Sequence, residues 1–382
     1  MQISIAGRLR PYSHTPGTHC VLPGSLISLQ VFPALIRFEE LSSSPSLPKS
    51  EISIGINGPM KEFTVRQDLE QGFVLVWGKT PDGFIRYRIT AEKGGMAINF
   101  EKTPKDGLSV TCSNSELAKL FRKDEEKLST LSKAVAEKDT LLITTNTDVS
   151  NREVLTGCCK ERLSLGSHKA QDWDMIVRRQ DLREIFPAWL RLGQMSPSLG
   201  NGTSLQGAAA LFKTCADVSE ERKTEILHDA FLNLFKVGFE GMFSPRLEDK
   251  FHQGFSLPEI EGVSEPFFLL QEGAKAIKSL FVKTEGAIID VLPALPPQFF
   301  CGRYLNIDCD GLATLDLEWS KKRVRKMSFT AEKDGEIQFK FHRHLKTFRL
   351  RKGRKDRGRV MKCGDLMTCV AGKQYMLDNF EK

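Results

Sequence analysis

Strict alternation of apolar and polar residues marks residues 313–319, ATLDLEW, where every second side chain is apolar. Because successive side chains of a strand point to opposite faces of a sheet, the pattern predicts a half-buried antiparallel strand. A short apolar run, residues 288–292, lies upstream and predicts a buried strand. Pro293, Pro296 and Pro297 end that run, since proline fixes φ and has no N–H to pair in a sheet. We therefore predict that the chain enters a C-terminal β-domain here.

Further strands are predicted downstream in this β-domain. Residues 324–330 and 336–342 flank Lys333-Asp334-Gly335, and Asp-Gly is a strong hairpin signal. Three more segments, 347–351, 360–363 and 366–370, also predict strands. The C-terminal β-domain is predicted over residues 287–382.

An antiparallel meander is predicted in the N-terminal quarter. Its strands are residues 63–65, 73–77, 84–90 and 96–100. Residues 79–83, KTPDG, supply a turn, because proline presets φ and glycine accepts positive φ. Arg86 and Arg88 alternate with apolar residues, which predicts one face in contact with water. We predict an N-terminal antiparallel β-sandwich over residues 1–112.

Helical periodicity dominates the middle of the chain. Ser113 and Glu116 have capping-box spacing, and apolar residues then recur at helical spacing as far as Val135. This predicts a linker helix, followed by a strand at 141–145, within residues 113–150. Helices are also predicted at 174–186, 205–215, 219–239 and 266–281, and these form a helical domain over residues 151–286. The predicted fold class is therefore α+β and multidomain.

Composition narrows the class of protein. The chain is 40% hydrophobic and can bury a normal core. Nine cysteines without a repeating spacing predict reduced thiols and a cytoplasmic protein. The apolar runs are much shorter than the ~20 residues of a membrane helix, so no membrane partner is expected. The sequence predicts no cofactor and leaves the oligomeric state open. His342 and His344 alternate on a strand, but no further ligand stands near them, so no metal site is predicted.

Positive charge is concentrated near the C-terminus. The net charge is +7, and ten Lys or Arg accompany a single Asp between Lys340 and Arg359. With Phe341 and Phe348 interleaved, residues 343–359 could bind nucleic acid or an acidic membrane surface. A solvated basic hairpin loop is the favoured explanation, because no nucleic-acid-binding signature accompanies the charge.

Residues 162–194 are the richest in candidate chemistry. They contain His168, four carboxylates, five arginines and two of the four tryptophans. If residues 174–186 form one helix, Asp174, Arg178 and Asp181 lie on one face and can form a salt-bridge ladder. One interpretation is a sugar site in which tryptophans stack and charged groups grip hydroxyls. The other is a charged helix with two core tryptophans.

The C-terminal segment resembles a known family. VLPALP at residues 291–296 and DLEW at residues 316–319 are similar to the segment that follows the helical barrel in glycoside hydrolases of the inverting α-L-fucosidase type. Gly273 and Ala274 also match the start of that family's last barrel helix, whereas its asparagine is absent. The resemblance implies a partial (α/α)6-barrel-like helical region between two β-domains. It also implies a carbohydrate ligand and, in an active enzyme, two carboxylates ~6.5–9.5 Å apart.

The candidate residues follow from this resemblance and from residues 162–194. The candidate catalytic residues are Asp172, Asp174, Glu184, Glu265 and Glu272. The candidate substrate-binding residues are Trp173, Arg178, Arg179, Trp189, His168 and His252. Three hypotheses remain open: a glycosidase with one carboxylate from residues 172–184 and one from 261–272, an inactive relative that binds a glycan or protein partner, and a nucleic-acid-binding protein.

Overall fold

The structure is a computed structural model, and it describes residues 2–41, 50–113, 118–122, 132–145, 160–197, 215, 224–246, 268–341, 344–353 and 355–382. Within these residues the chain is β-rich and has 26 strands and four helices. The helices are α1 (Trp173–Arg179), α2 (Leu182–Met195), α3 (Thr224–Gly238) and α4 (Phe268–Phe281).

Two antiparallel sheets form the N-terminal part as far as residue 145. The described strands of sheet 1, in spatial order, are β1 (Tyr12–Ser13), β6 (Lys61–Asp68), β7 (Phe73–Thr80), β8 (Gly83–Glu92), β9 (Gly95–Lys102), β13 (Thr140–Thr145) and β11 (Ala118–Arg122). Those of sheet 2 are β12 (Ser132–Val135), β10 (Leu108–Cys112), β5 (Ser50–Ile54), β4 (Leu35–Glu40), β3 (Ile27–Val31) and β2 (Thr18–Val21). Buried side chains of both sheets belong to one hydrophobic core. The buried Gln67 amide crosses between them and donates to the Val21 carbonyl at 2.7 Å.

Two further sheets form the C-terminal part. The described strands of sheet 3 are β14 (Arg162–Ser164), β19 (Cys301–Asp308), β20 (Ala313–Ser320), β21 (Arg323–Ala331), β26 (Gln374–Glu381), β23 (Thr347–Arg351) and β24 (Arg359–Lys362). Those of sheet 4 are β17 (Val282–Glu285), β18 (Ile288–Val291), β22 (Gly335–Lys340) and β25 (Leu366–Cys369), and β18 pairs with β22 in parallel. A separate short pair joins β15 (Phe239–Glu240) to β16 (Ser244–Pro245). The predicted alternation is confirmed in β20, where Leu315, Leu317 and Trp319 are buried.

The predicted linker helix from residue 113 to 135 is wrong. Its described residues form β11 and β12 instead. β11 pairs with β13 and β12 pairs with β10, so the backbone groups of this segment complete the two N-terminal sheets. Pairing with a strand distant in sequence has outweighed the local helical periodicity, because a sheet satisfies the backbone groups equally well.

The helix predicted at 174–186 is interrupted. Gln180 ends α1 in the left-handed conformation, with φ 51° and ψ 37°. Asp181 then caps α2, because its carboxylate accepts a hydrogen bond from the Arg183 backbone N–H at 3.0 Å. The predicted salt-bridge ladder is therefore absent from this segment: Asp174 accepts a hydrogen bond from Thr15 and Asp181 pairs with Arg183.

The described part of the helical region is a layer in which α2 packs against α4. Gly193 of α2 and Gly273 of α4 lie at the contact, and a Cβ on Gly273 would lie 2.4 Å from the Trp189 ring. Phe186 and Trp189 of α2 also form edge-to-face pairs with Phe231 of α3. α2 and α4 therefore approach each other closely at these glycines.

Candidate functional site

Both predicted stacking tryptophans are core residues. Trp189 is fully buried and donates through its indole N–H to the Leu269 carbonyl at 3.3 Å. Trp173 is 3% exposed and packs edge-to-face against Phe235 and Phe243. The prediction that these rings stack on a sugar is wrong, because neither offers a face to a ligand.

The predicted catalytic carboxylates do not converge in the described structure. Asp172 caps α1 by accepting from the Met175 N–H, and Asp174 accepts from the Thr15 hydroxyl at 2.8 Å. Glu272 pairs with exposed Lys275 on α4. Glu184 is the only one of these four that lines the cavity between residues 5–11 and α2. The predicted roles of Asp172, Asp174 and Glu272 in catalysis are therefore not supported by their positions. Glu265 and His252 lie outside the described residues.

A cavity of about 200 Å³ lies at the edge of the helical layer. One wall is the N-terminal segment 5–11, the second is residues 161–171, and the third is the side of α2 that contains Glu184 and Arg191. The structure brings two of the predicted residues, His168 and Glu184, to this space. Arg179 forms an ion pair with Glu184 but does not line the cavity. Arg178 is exposed on α1.

Hydrogen bonds over long sequence distances hold the N-terminal segment in place. Arg162 donates to the Gly7 carbonyl at 2.7 Å and to Glu70 at 2.9 Å. The Gln171 side chain donates to the Arg8 carbonyl at 2.8 Å, and Leu9 N–H donates to Glu70 at 2.9 Å. Segment 5–11 therefore lies across residues 161–171. The carbonyl groups of Gly7 and Arg8 accept hydrogen bonds from Arg162 and Gln171.

Among the charged residues that line this cavity, cations outnumber carboxylates. Its described cationic residues are Arg8, Arg162, Lys169, Arg183, Arg191 and Arg303, and its described acidic residues are Glu70, Glu161 and Glu184. The lining thus carries an excess of three positive charges. We call this space the cationic cavity.

Every carboxylate of the cationic cavity is engaged by a cation of the protein. Glu70 pairs with Arg162 at 2.9 Å, and Glu184 pairs with Arg179 at 2.6 Å. Glu161 pairs with Lys278 at 2.8 Å. These carboxylates are oriented by the protein and are not presented to a ligand.

Glu161 has the largest number of hydrogen-bond partners of these three carboxylates. It is buried and accepts hydrogen bonds from Gln194 at 2.7 Å, from the Asp308 backbone N–H at 3.1 Å and from the Tyr304 hydroxyl. Burial lowers the pKa of Lys278, but attraction to Glu161 and their hydrogen bond outweigh burial, so the pKa of Lys278 is raised overall. This network fixes the end of the cationic cavity where residues 161–171 meet α2 and β19.

Arg8 and His168 are the cavity residues available to a ligand. Both side chains are exposed, and neither forms a hydrogen bond or ion pair with the described part of the chain. Lys169 is nearly free as well, since its amino group lies 4.0 Å from Asp181. Sequence patterns identified His168, whereas Arg8 and Glu161 were missed, because segment 5–11 meets residues 161–171 only through the tertiary fold.

No metal site accompanies this cavity. Among the described residues, no group of three or more His, Cys, Asp or Glu side chains could hold a metal ion.

The aromatic residues of the basic C-terminal stretch are also core residues. Phe341 is 9% exposed and Phe348 is 2% exposed, and the two rings pack edge-to-face. Neither ring is therefore available to stack on a nucleic-acid base. Arg349 and Arg351 both pair with Asp378, at 2.7 and 3.3 Å, and stabilise sheet 3.

No family model matches the chain, and no curated protein matches it. In the described part of the chain, no helix combines the length and the apolar character needed to cross a membrane.

Proposed function

We propose that the protein binds a small acidic saccharide in the cationic cavity and does not hydrolyse it. The observation that carries this proposal is the excess of three positive charges around the cavity, together with the unpartnered side chains of Arg8 and His168. A guanidinium group binds carboxylate and phosphate groups in a bidentate, charge-assisted manner. The ligand class is therefore a sugar that carries a carboxylate or a phosphate.

Cavity size supports a ligand of monosaccharide dimensions. The volume of about 200 Å³ is smaller than the ~300–1,000 Å³ typical of pockets for drug-sized molecules. The side chains of Arg8 and His168, which line it, can form hydrogen bonds with the hydroxyl groups of a sugar.

The saccharide part of the proposal rests on the resemblance to inverting α-L-fucosidase-like glycoside hydrolases. α4 passes into β17 and β18, and the proline-rich segment follows, which is the order that the resemblance implies. Gly273 and Ala274, which match the family's last barrel helix, lie at the contact between α2 and α4. We infer that the helical layer is a reduced form of an (α/α)6 barrel.

The engaged carboxylates favour binding over hydrolysis. An inverting glycosidase needs one carboxylic acid and one carboxylate with room for water between them. In the cationic cavity, Glu70, Glu161 and Glu184 each pair with a cation of the protein. Such a set can orient other side chains, but it offers no free acid and base.

Calorimetric titration tests the proposal with D-glucuronate and D-glucose, which differ in charge. We expect glucuronate to bind at least tenfold more tightly than glucose, because only glucuronate has a carboxylate. Arg8→Gln should weaken glucuronate binding by about ten- to a hundredfold, in line with the ~1.5–3 kcal/mol of a charge-assisted hydrogen bond. Arg323→Gln removes an exposed arginine outside the cationic cavity and should leave binding unchanged. Equal affinity for the two sugars, or no effect of Arg8→Gln, would refute the proposed ligand class.

A panel of aryl-glycosides, including an α-L-fucoside, tests the absence of hydrolysis. We expect no release of the aryl group above the level of buffer. Turnover that Glu184→Gln abolishes would instead establish a glycosidase.

A further inference from the structure

Two edge strands meet at one end of the C-terminal part. β24 and β25 are edge strands of sheets 3 and 4 within the described structure, and the turn at residues 363–365 joins them. Asp365 holds this turn by accepting a hydrogen bond from the Lys362 N–H at 3.1 Å. Residues 352, 353 and 355–370 therefore lie along one border of the C-terminal part, which we call the basic edge.

Exposed cations populate the basic edge. Five of them have no ion pair within the described part of the chain: Lys352, Lys355, Arg357, Arg359 and Lys362. Two acidic residues, Asp356 and Asp365, lie on the same edge, and Asp356 accepts backbone hydrogen bonds from Lys352 at 2.7 Å and from Gly358 at 2.9 Å. Asp356 thereby orders the loop between β23 and β24 and leaves the lysine and arginine side chains in solvent.

The most exposed apolar side chains of the described structure lie on the same edge. Val360 is 73% exposed, Leu366 is 57% exposed and Val370 is 53% exposed. Val360 stands between Arg359 and Lys362 on β24, and the other two lie on and just after β25. Aliphatic groups interleaved with cations are typical of surfaces that lie in the lipid headgroup region.

We propose that the basic edge docks on the surface of a membrane that contains anionic phospholipid. The cations would contact lipid phosphate and carboxylate groups, and Val360, Leu366 and Val370 would enter the acyl boundary. Nucleic acid is the less favoured partner, because single-strand binding uses exposed aromatic rings, whereas Phe341 and Phe348 are buried. A second copy of the chain would bring like charges together. Surface docking needs no spanning helix, so it is compatible with the short apolar runs of the sequence.

Cosedimentation with vesicles tests the proposal on the full chain. We expect binding to vesicles of phosphatidylcholine plus phosphatidylserine and none to phosphatidylcholine alone. Combined Lys355→Gln, Arg357→Gln and Arg359→Gln should weaken binding on the order of a hundredfold, at about fivefold per cation. Combined Val360→Ser and Leu366→Ser should weaken it by about tenfold or more, because both side chains would otherwise leave water.

The matched control is the combination Arg323→Gln, Arg325→Gln and Lys326→Gln, which removes the same number and kind of exposed cations from β21. It should bind anionic vesicles like the wild type. All substituted positions are exposed, and circular dichroism with a thermal midpoint verifies folding of each variant. Wild-type affinity in the basic-edge charge variant would overturn the proposal. Wild-type affinity in the Val360 and Leu366 variant, with tighter binding to a generic RNA oligonucleotide than to vesicles, would identify a nucleic-acid surface instead.

Discussion

The carboxylate of Glu161 is buried and has both a cationic partner and hydrogen-bond donors within the protein. Lys278 supplies the counter-charge at 2.8 Å, while Gln194, Tyr304 and the Asp308 backbone supply hydrogen bonds. A buried charge is tolerated only when it is paired and hydrogen-bonded. The residue therefore ties the start of β14 to α2, α4 and β19, and its role is structural.

Glu161→Gln is expected to lower the free energy of unfolding by about 3 kcal/mol, because it leaves the largely buried Lys278 without its counter-charge. Urea denaturation measures the change. The matched control, Glu272→Gln, breaks the exposed pair with Lys275 and should cost at most ~1 kcal/mol. Equal costs for the two variants would contradict the role assigned to Glu161.

The ion pairs of Asp378 lead us to expect that the stability of the protein depends on pH in the acidic range. The hydrogen bond from Arg349 lowers the pKa of Asp378 below its ordinary 3.8, and Arg351 adds to this against the opposing effect of burial. The pKa is lower in the folded state, so this stabilisation is present above pH 3.8 and is lost as the pH falls through the folded value.

Asp378→Asn should therefore cost about 1–2 kcal/mol at neutral pH, and its deficit relative to the wild type should shrink below about pH 4. Denaturant unfolding at a series of pH values measures both quantities. Glu62→Gln, in an exposed pair with Lys79, is the control and should show neither effect. A deficit that persisted unchanged in acid would argue against this ion pair as the cause.

At the scale of the helices, the contact between α2 and α4 depends on two glycines. A Cβ on Gly273 would lie 2.4 Å from the Trp189 ring, and one on Gly193 would lie 2.3 Å from the Leu270 carbonyl oxygen. Glycine costs helix stability relative to alanine, but here it allows the close approach that buries Trp189. The Gly273–Ala274 pair thus has a packing reason that is independent of any catalytic role.

Gly273→Ala should destabilise the protein by about 1–3 kcal/mol, although alanine is the better helix former, because Trp189 has no room to move in a close-packed core. Thermal and urea unfolding measure the loss. Lys275→Ala, at an exposed position of the same helix, should change stability by less than about 0.5 kcal/mol. A stabilised Gly273→Ala variant would show that the contact between the helices is looser than described.

At the scale of the whole molecule, the N-terminal sheets, the helical layer and the C-terminal sheets are joined by shared contacts. One hydrophobic core includes residues of the N-terminal sheets, the helical layer and the C-terminal sheets. Arg162 of sheet 3 pairs with Glu70 next to sheet 1, and Tyr12 N–H donates to the Gln171 carbonyl at 2.9 Å. The domain boundaries predicted from the sequence are therefore crossed by a shared core and by polar contacts.

Thermal unfolding is expected to occur in one transition, because a shared core couples the parts. Calorimetry tests this through the ratio of the calorimetric to the van't Hoff enthalpy, which should be close to one for a two-state change. Two resolved transitions would show that the N-terminal sheets unfold independently of the remainder.

Local sequence patterns correctly predicted those strands that have one face in the core and the other in solvent. Strands such as β20 and β23 alternate between core and solvent, so their periodicity is visible in the sequence. The pattern failed at β11 and β12, where pairing with distant strands decided the conformation. Among the predicted site residues that the structure describes, His168 and Glu184 alone line the cationic cavity, and both belong to the charged stretch recognised from its composition.

The sequence by itself determined the β-rich character of the two ends, the apolar stripes of the described helices and the concentration of positive charge near the C-terminus. Each of these depends on residues that are neighbours along the chain. Only the tertiary structure decided that Trp173 and Trp189 are core residues, that segment 5–11 covers residues 161–171, and that the acidic residues of the cavity are paired. Most of this burial and charge pairing depends on residues far apart in the chain, such as Glu161 and Lys278, which are 117 positions apart. Periodicity carries no information about such contacts.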